Sequence, residues 1–244
     1  MIDVFKDLGI DIATINKEPS YKWINITGSV KSGKTEFCVN LSKELRTVYF
    51  DFEKGSKAYV GSFIDVDNLP DLRSKMVRVL ENIEAINPDV IVLDPIDKLA
   101  NMISKWYCQD KGIEDLSEMP YGSGWSGTRD ILFNFINTCF KIAPLLITVT
   151  HLKLASSDVT TKNVTYLDMD LPGKTKRMVH DTADAHCIFK PEKDDDGKHY
   201  LGVSFDASST SSFGFGGSRV KDFYNIKTAD DLMKQVLKKF DVAK

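Results

Sequence analysis

The stretch Gly28-Ser-Val-Lys-Ser-Gly-Lys-Thr35 decides the fold, because it fills every constrained position of the pattern G-x-x-x-x-G-K-[ST]. This pattern describes the P-loop, in which successive backbone N–H groups surround phosphate oxygens at the start of a helix. The required context is present: an apolar run precedes it at residues 22–27, and Phe37, Leu41 and Leu45 recur behind it at helical spacing. The sequence therefore predicts a strand, a phosphate-binding loop and a helix. A Gly/Ser turn before a surface helix is the alternative interpretation.

The loop predicts a nucleotide site with a metal ion. Lys34 is expected to reach the β- and γ-phosphates of ATP, and the Thr35 hydroxyl is expected to hold Mg²⁺. Lys31 is unusual, because a small residue is common at its position; it points to solvent or reaches a phosphate of a partner. The predicted nucleotide-binding residues are Gly28, Ser29, Val30, Lys31, Ser32, Gly33, Lys34 and Thr35.

Composition indicates a soluble globular protein. A length of 244 residues suits one α/β domain with additions, or two small domains, and 42% hydrophobic with 27% charged residues is ordinary for this class. The net charge of -3 means that any nucleic-acid contact must come from a local basic patch. Four widely spaced cysteines and an opening without a signal peptide predict a reducing, cytoplasmic setting, that of the host if the protein is phage-encoded. No apolar run is long enough to cross a bilayer, so no membrane role is expected.

Alternating patterns predict an α/β fold with a mainly parallel sheet flanked by helices, because continuous apolar strands are buried on both faces. The predicted strands are 47–52, 89–94, 145–150, one ending near Phe189, and 200–205 paired in a hairpin with 220–224; the predicted helices are 71–86, one from Pro95, 128–140, one after Gly173, and one after Thr228. Residues 121–127 predict a Gly/Ser-rich interruption, and the polar residues 152–171 predict a mobile loop. The predicted organisation is an N-terminal extension at 1–20, an ATPase domain at 21–225 and a C-terminal helix at 226–244.

Polar residues follow several predicted strands at the carboxyl edge of the sheet, where ligands bind in open α/β folds. Asp94 ends an apolar strand and is itself predicted to be the second Mg²⁺ partner. An Asp before Pro95 also suits a helix N-cap. Glu53 is predicted to polarise an attacking water, and Asp51 is the second candidate for this role. The alternative interpretation is that Glu53 is an ordinary exposed loop residue. His151 follows the strand at 145–150 and is predicted to contact the γ-phosphate. A lone His at a strand end often has no such role.

These motifs resemble those of RecA-like ATPases. Residues 28–35, 49–53, 90–94 and 148–151 are similar to the successive core motifs of that group, and most similar to the phage-type AAA domain that includes single-strand annealing proteins. The resemblance covers about residues 20 to 225. It implies that Glu53 activates water, that Asp94 is the Walker B aspartate, and that His151 couples the γ-phosphate to a DNA-binding loop. The departures are Lys31 in the loop and a His where RecA itself has Gln.

The resemblance also implies a homo-oligomer, as a ring or filament, with a basic residue supplied to the neighbouring site. Arg219 and Lys221 are the candidates for this catalytic cation, with solvated residues on an outer strand as the alternative. Single-stranded DNA binding requires cations and aromatic or flexible loops. Three segments offer them: 122–125 with Trp125, the basic run 174–177, and 213–215 with Phe213 and Phe215.

Three functions compete at this point. The first is a phage-type RecA-like ATPase that acts on single-stranded DNA in recombination or annealing, with ATP ordering residues 152–171 through His151. The second is a nucleotide-switched assembly or regulatory ATPase that acts on protein partners. The third is a small-molecule kinase, which the lack of an Arg-rich acceptor lid in the sequence disfavours.

Overall fold

The computed structural model describes residues 21–159, 162–205 and 217–240. Its strands are β1 Trp23–Gly28, β2 Thr47–Asp51, β3 Ile64–Asp65, β4 Val90–Asp94, β5 Leu145–Val159, β6 Lys162–Met169, β7 Ala185–Lys193, β8 His199–Ser204 and β9 Gly217–Ser218. Its α-helices are α1 Lys34–Glu44, α2 Leu69–Glu81, α3 Ile83–Ile86, α4 Ile96–Lys111, α5 Ser123–Ile142, α6 Gly173–Thr182 and α7 Ala229–Lys238. Short 3₁₀ helices lie at Gly55–Ala58, Leu116–Glu118, Pro120–Gly122 and Lys221–Asn225.

The strands form one sheet in the order β3-β2-β4-β5-β1-β7-β8, with β6 paired to β5 and β9 paired to β7. Every pairing from β3 across to β7 is parallel, while β8, β6 and β9 are antiparallel to their neighbours. The predicted fold class is confirmed: a mainly parallel sheet lies between helices, and an antiparallel hairpin and a helix follow it.

Helices cover both faces of the sheet because alternate strand residues point to opposite sides. In β1, Trp23 belongs to the core formed with α2, α4 and α5, whereas Ile24 belongs to the core formed with α1 and α7. Phe37 of α1 and Leu232 of α7 are both buried in this second core. The fold therefore attaches the C-terminal helix to the helix that follows the P-loop.

The strand register brings the predicted site residues to one edge. Gly28 at the end of β1 lies beside His151 of β5, and Asp51 at the end of β2 lies beside Asp94 of β4. Beneath this edge, buried Asn25 accepts hydrogen bonds of 2.8 Å from the hydroxyls of Thr148 and Thr150. These bonds satisfy polar groups in the core and tie β1 to β5.

The prediction of a mobile loop at 152–171 is wrong, because residues 152–159 and 162–169 form an antiparallel hairpin. The polar composition hid this pairing: a hairpin held by backbone hydrogen bonds does not need an apolar period, and β-branched residues such as Val159, Val164 and Thr165 suit strands. The base of the hairpin is anchored, since Met169 is buried in the core and Leu152 packs against it.

Two further predictions of local structure are wrong. Residues 123–127 belong to α5, which begins at Ser123, because Gly124 lets the helix approach the backbone of Leu116 closely: a Cβ there would lie 2.5 Å from its carbonyl oxygen. The predicted hairpin partner at 220–224 is a 3₁₀ helix, and β8 pairs with β7.

Residues 1–20 of the predicted extension lie outside the described residues. Among the helices of the described ranges, none is both long and apolar enough to cross a membrane.

Candidate nucleotide site

Two glycines let the backbone of the P-loop run close to neighbouring groups. A Cβ on Gly28 would lie 2.4 Å from the Ser32 hydroxyl oxygen and 2.9 Å from the Phe189 carbonyl oxygen. Gly33 adopts the left-handed conformation that glycine tolerates best, with φ of 84°. Lys31 also has a positive φ, 63°, and its side chain is exposed, which fits both predicted orientations, toward solvent or toward a phosphate of a partner.

Lys34 is buried inside the loop. Its Nζ donates to the carbonyl oxygens of Gly28 at 2.8 Å and Ser29 at 2.7 Å. Burial lowers the pKa of Lys34, and the nearby carboxylate of Asp94 opposes this shift. The ammonium is thus held at the centre of the loop, where it can exchange carbonyl partners for phosphate oxygens.

Thr35 and Asp94 meet directly. The Thr35 hydroxyl donates to Asp94 Oδ2 at 2.8 Å, and the buried Tyr49 hydroxyl donates to the same oxygen at 2.5 Å. Burial raises the pKa of Asp94, while these two hydrogen bonds act in the opposite direction. The carboxylate therefore does not cap the next helix, whose N-cap Pro95 has no side-chain cap. It faces the P-loop, as a metal partner must.

Asp51 has a structural role in this site. Its carboxylate accepts from the backbone N–H groups of Glu53, Lys54 and Ser56, at 3.0, 2.7 and 2.9 Å, and also from the Ser56 hydroxyl. Only 2% of the residue is exposed. A buried carboxylate occupied by four donors fixes the loop that carries Glu53, and it is poorly placed to activate water.

Glu53 faces His151 across the mouth of the site. Its Oε1 lies 3.8 Å from His151 Nε2, and its Oε2 lies 3.8 Å from Lys98 Nζ. About a third of the Glu53 side chain is exposed, so the carboxylate can reach solvent. This arrangement suits a general base that meets a water molecule, with the His151 ring and the Lys98 ammonium beside its two oxygens.

Sequence reasoning missed Asp97, which organises His151. Asp97 is 2% exposed, and it accepts from the His151 backbone N–H at 3.0 Å and contacts His151 Nδ1 at 3.0 Å. The hydrogen bond that the Asp97 carboxylate accepts from the ring raises the pKa of His151, with burial acting in the opposite direction. A signal existed in the sequence: Asp97 comes three residues after Asp94, so it lies in the first turn of α4 at the same sheet edge.

The residues present fit a nucleotide with Mg²⁺. The glycine-lined loop, the buried ammonium of Lys34 and the start of α1 suit a polyphosphate, which is anionic. One hydroxyl and one carboxylate, from Thr35 and Asp94, suit Mg²⁺, because this ion uses one or two carboxylates together with phosphates and water. Within the described ranges, no group of three or more His, Cys, Asp or Glu side chains forms an all-protein metal site.

Arg219 and Lys221 lie away from this site. Arg219 donates to the Asp181 carbonyl at 2.6 Å and lies 3.4 Å from Asp184, beside the first residues of β7. The P-loop lies at the opposite end of the parallel strands, so Arg219 does not belong to the site of its own chain. Lys221 is exposed at the start of a 3₁₀ helix, not on a hairpin. Both remain predictions for a neighbouring subunit.

The three predicted DNA segments have different outcomes. Trp125 lies in the first turns of α5 and is 41% exposed, so it is not in a mobile loop. In α6, Lys176 pairs with Asp168 and Arg177 pairs with Asp181, and these carboxylates offset part of the positive charge. Phe213 and Phe215 lie outside the described residues.

Comparison with known proteins places the chain in a family. A family model described as an AAA domain matches residues 21–220. A search of curated proteins found no match. Among solved structures, the chain is similar to a KaiC-like protein of the hyperthermophilic archaeon Pyrococcus horikoshii, with 13% identity, a TM-score of 0.42, and coverage of 77% of this chain and 79% of that chain. It is also similar to the RadB recombinase, with 14% identity, a TM-score of 0.40, and coverage of 82% and 85%. Because the family model spans most of the sequence, this chain belongs to the AAA domain family.

Proposed function

We propose that this protein binds ATP with Mg²⁺, hydrolyses it, and uses the nucleotide state to change its binding of single-stranded DNA. The convergence of Lys34, the Thr35–Asp94 pair and the Glu53–His151 pair at one sheet edge supports the hydrolytic part. The resemblance to phage-type RecA-like proteins supports the DNA part. In this proposal the protein acts in recombination or annealing, in the cytoplasm of a host cell, as a ring or filament.

The residues divide the work as follows. The loop and Lys34 bind the phosphates, and Thr35 and Asp94 hold Mg²⁺, which when bound neutralises charge that develops on phosphate oxygens. Glu53 accepts a proton from the attacking water, while the neighbouring Lys98 keeps this carboxylate directed toward the site. Arg219 or Lys221 of a neighbouring subunit supplies the cation that stabilises the transferring phosphoryl group.

His151 links the site to the hairpin formed by β5 and β6. Its ring faces Glu53, and its carbonyl oxygen accepts from the Asp170 backbone N–H at 2.9 Å, directly beyond β6. A change at the γ-phosphate that moves the ring would therefore act on both strands of the hairpin at their base. This connection supports a switch in which ATP changes the position of the hairpin and so its affinity for DNA.

The decisive experiment measures ATP turnover with and without a single-stranded oligonucleotide, together with the size of the assembly in each state. We expect faster turnover with DNA, salt-sensitive oligonucleotide binding and a larger assembly with ATP. Lys34→Ala is the control, because it should abolish ATP binding or hydrolysis. Turnover that DNA leaves unchanged, without salt-sensitive binding, would reject the DNA role and favour a nucleotide-switched ATPase that acts on protein partners.

A further inference from the structure

A cavity of about 670 Å³ opens beside the P-loop, between α1, β8 and α7. This volume lies within the range of small-molecule sites, roughly 300–1,000 Å³. The cavity begins at the loop itself, and its lining includes Gly33, Phe37, Asn40, Leu201, Ala229 and Met233. The contact with the loop is close, because a Cβ on Gly33 would lie 2.9 Å from Leu201 Cδ2.

The sheet order shows on which side of the phosphate-binding loop this cavity lies. Glu53, Asp94 and His151 follow β2, β4 and β5, all on one side of β1. The cavity lies on the other side, where β7 and β8 continue the sheet. If the terminal phosphate faces the carboxylates, as the proposed function requires, the remainder of the nucleotide extends toward the cavity.

The walls of the cavity suit a flat aromatic ring with polar edges. Phe37, Leu201 and Met233 provide apolar contacts, and the thioether of Met adapts well to an aromatic face. Asn40 lies on the same wall of α1, and its Oδ1 accepts from Lys43 Nζ at 2.8 Å, which leaves its NH₂ group directed elsewhere. Glu36 and Asp230 add acceptors at the rim, which favours a base that carries an exocyclic amino group.

We infer that this cavity holds the base of the bound nucleoside triphosphate, and that α7 forms one wall of the base site. The inference rests on the proposed function, because it takes the P-loop as the phosphate site. It gives the C-terminal helix a part in nucleotide selection, beyond its packing on α1 in the core.

The test compares two ligands, ATP and inorganic tripolyphosphate, since only ATP carries a base. Met233→Asp should weaken ATP binding by about tenfold or more, because it places a charge against the ring, and it should leave tripolyphosphate binding unchanged. Met178→Asp is the matched control, because Met178 is also partly buried but packs on the other face of the sheet. Met233→Leu should restore ATP affinity.

A second measurement needs no variant at Met233. Backbone hydrogen exchange in Ala229–Lys238 should slow when the wild-type protein binds ATP, and it should not slow with tripolyphosphate. Three results would overturn the inference. Both ligands could slow exchange equally, or Met233→Asp could bind ATP as tightly as the wild type. Met233→Asp could also lose affinity for ATP and for tripolyphosphate to the same extent. A wild-type protein that binds neither ligand would instead reject the proposed function, and the base site with it.

Discussion

Asp97 holds His151 through two contacts, since its carboxylate accepts from the backbone N–H at 3.0 Å and lies 3.0 Å from ring Nδ1. With Nδ1 engaged, ring Nε2 is the nitrogen that faces Glu53, 3.8 Å away. One buried carboxylate therefore fixes both the position of the backbone and the orientation of the ring at the point where the sheet continues into the hairpin.

The first prediction concerns Asp97→Asn. The amide keeps the shape of the side chain but removes its charge, so we expect the pKa of His151 to fall and turnover to decrease by about tenfold. The pH profile of turnover should shift toward lower pH, which loss of packing alone would not cause. Asp110→Asn, at an exposed position near the end of the same helix, is the control. An unchanged pH profile in Asp97→Asn would contradict the positioning role.

A second prediction concerns the pH dependence of stability. Because the pKa of His151 is raised in the folded protein above its ordinary value of 6.5, protonation favours the folded state. This contribution is fully present below the unfolded pKa and is lost as the pH rises through the folded pKa. We therefore expect the stability advantage of the wild type over His151→Gln to shrink between about pH 6 and pH 8. Chemical denaturation at several pH values measures it, and a constant difference would contradict the prediction.

Much of the fold was predictable because strong local signals agree with the global architecture. The P-loop between an apolar run and a helical period predicted β1 and α1, and apolar runs before Asp94 and His151 predicted β4 and the start of β5. Parallel strands present their carboxyl ends at one edge, so placing Lys34 and Asp94 together followed from the order of elements.

The remainder depended on contacts between residues distant in sequence. Asp97 was not singled out from the sequence, because nothing in the neighbouring residues shows that it accepts a hydrogen bond from His151, 54 positions away. Asp51 was the second candidate for water activation, and only the folded loop shows that its oxygens are already occupied. Residues 152–159 of β5 pair with residues 162–169 of β6 through their backbones, a property that hydrophobic periodicity does not report.

The third prediction separates the two carboxylates that follow β2. Glu53→Gln should bind ATP normally and hydrolyse it about 100-fold more slowly, because the amide cannot accept a proton from water. Asp51→Asn should instead lower the free energy of unfolding by about 1–3 kcal/mol, because one amide oxygen cannot replace a carboxylate that accepts from three N–H groups and a hydroxyl. Single-turnover kinetics and urea denaturation of both variants measure these effects. Normal hydrolysis by Glu53→Gln would move water activation to another group.

The fourth prediction concerns the Thr35 hydroxyl, which bonds Asp94 at 2.8 Å. Thr35→Val keeps the volume of the side chain and removes the oxygen, so the gain in ATP affinity that Mg²⁺ gives should fall by at least about tenfold. Thr35→Ser keeps the oxygen and is the matched control. Titration of ATP with Mg²⁺ and with EDTA measures the gain for each protein. If Thr35→Val retains the full Mg²⁺ effect, Thr35 is not a metal partner.

The fifth prediction concerns the backbone cradle of the P-loop. Gly28→Ala places a methyl group 2.4 Å from the Ser32 hydroxyl oxygen and 2.9 Å from the Phe189 carbonyl oxygen. Ser32 can rotate, but the carbonyl belongs to β7, so the loop or the strand must shift, and we expect a loss of about 1–3 kcal/mol in unfolding free energy.

The same shift should reduce ATP affinity by at least about tenfold, because the loop N–H groups no longer converge on the phosphates. Gly173→Ala is the control, since a Cβ there meets nothing within 4 Å, and alanine suits the first residue of α6. Thermal denaturation and ATP titration of both variants provide the comparison. Equal stability and equal ATP affinity in the two variants would show that the close approach at Gly28 does not shape the loop.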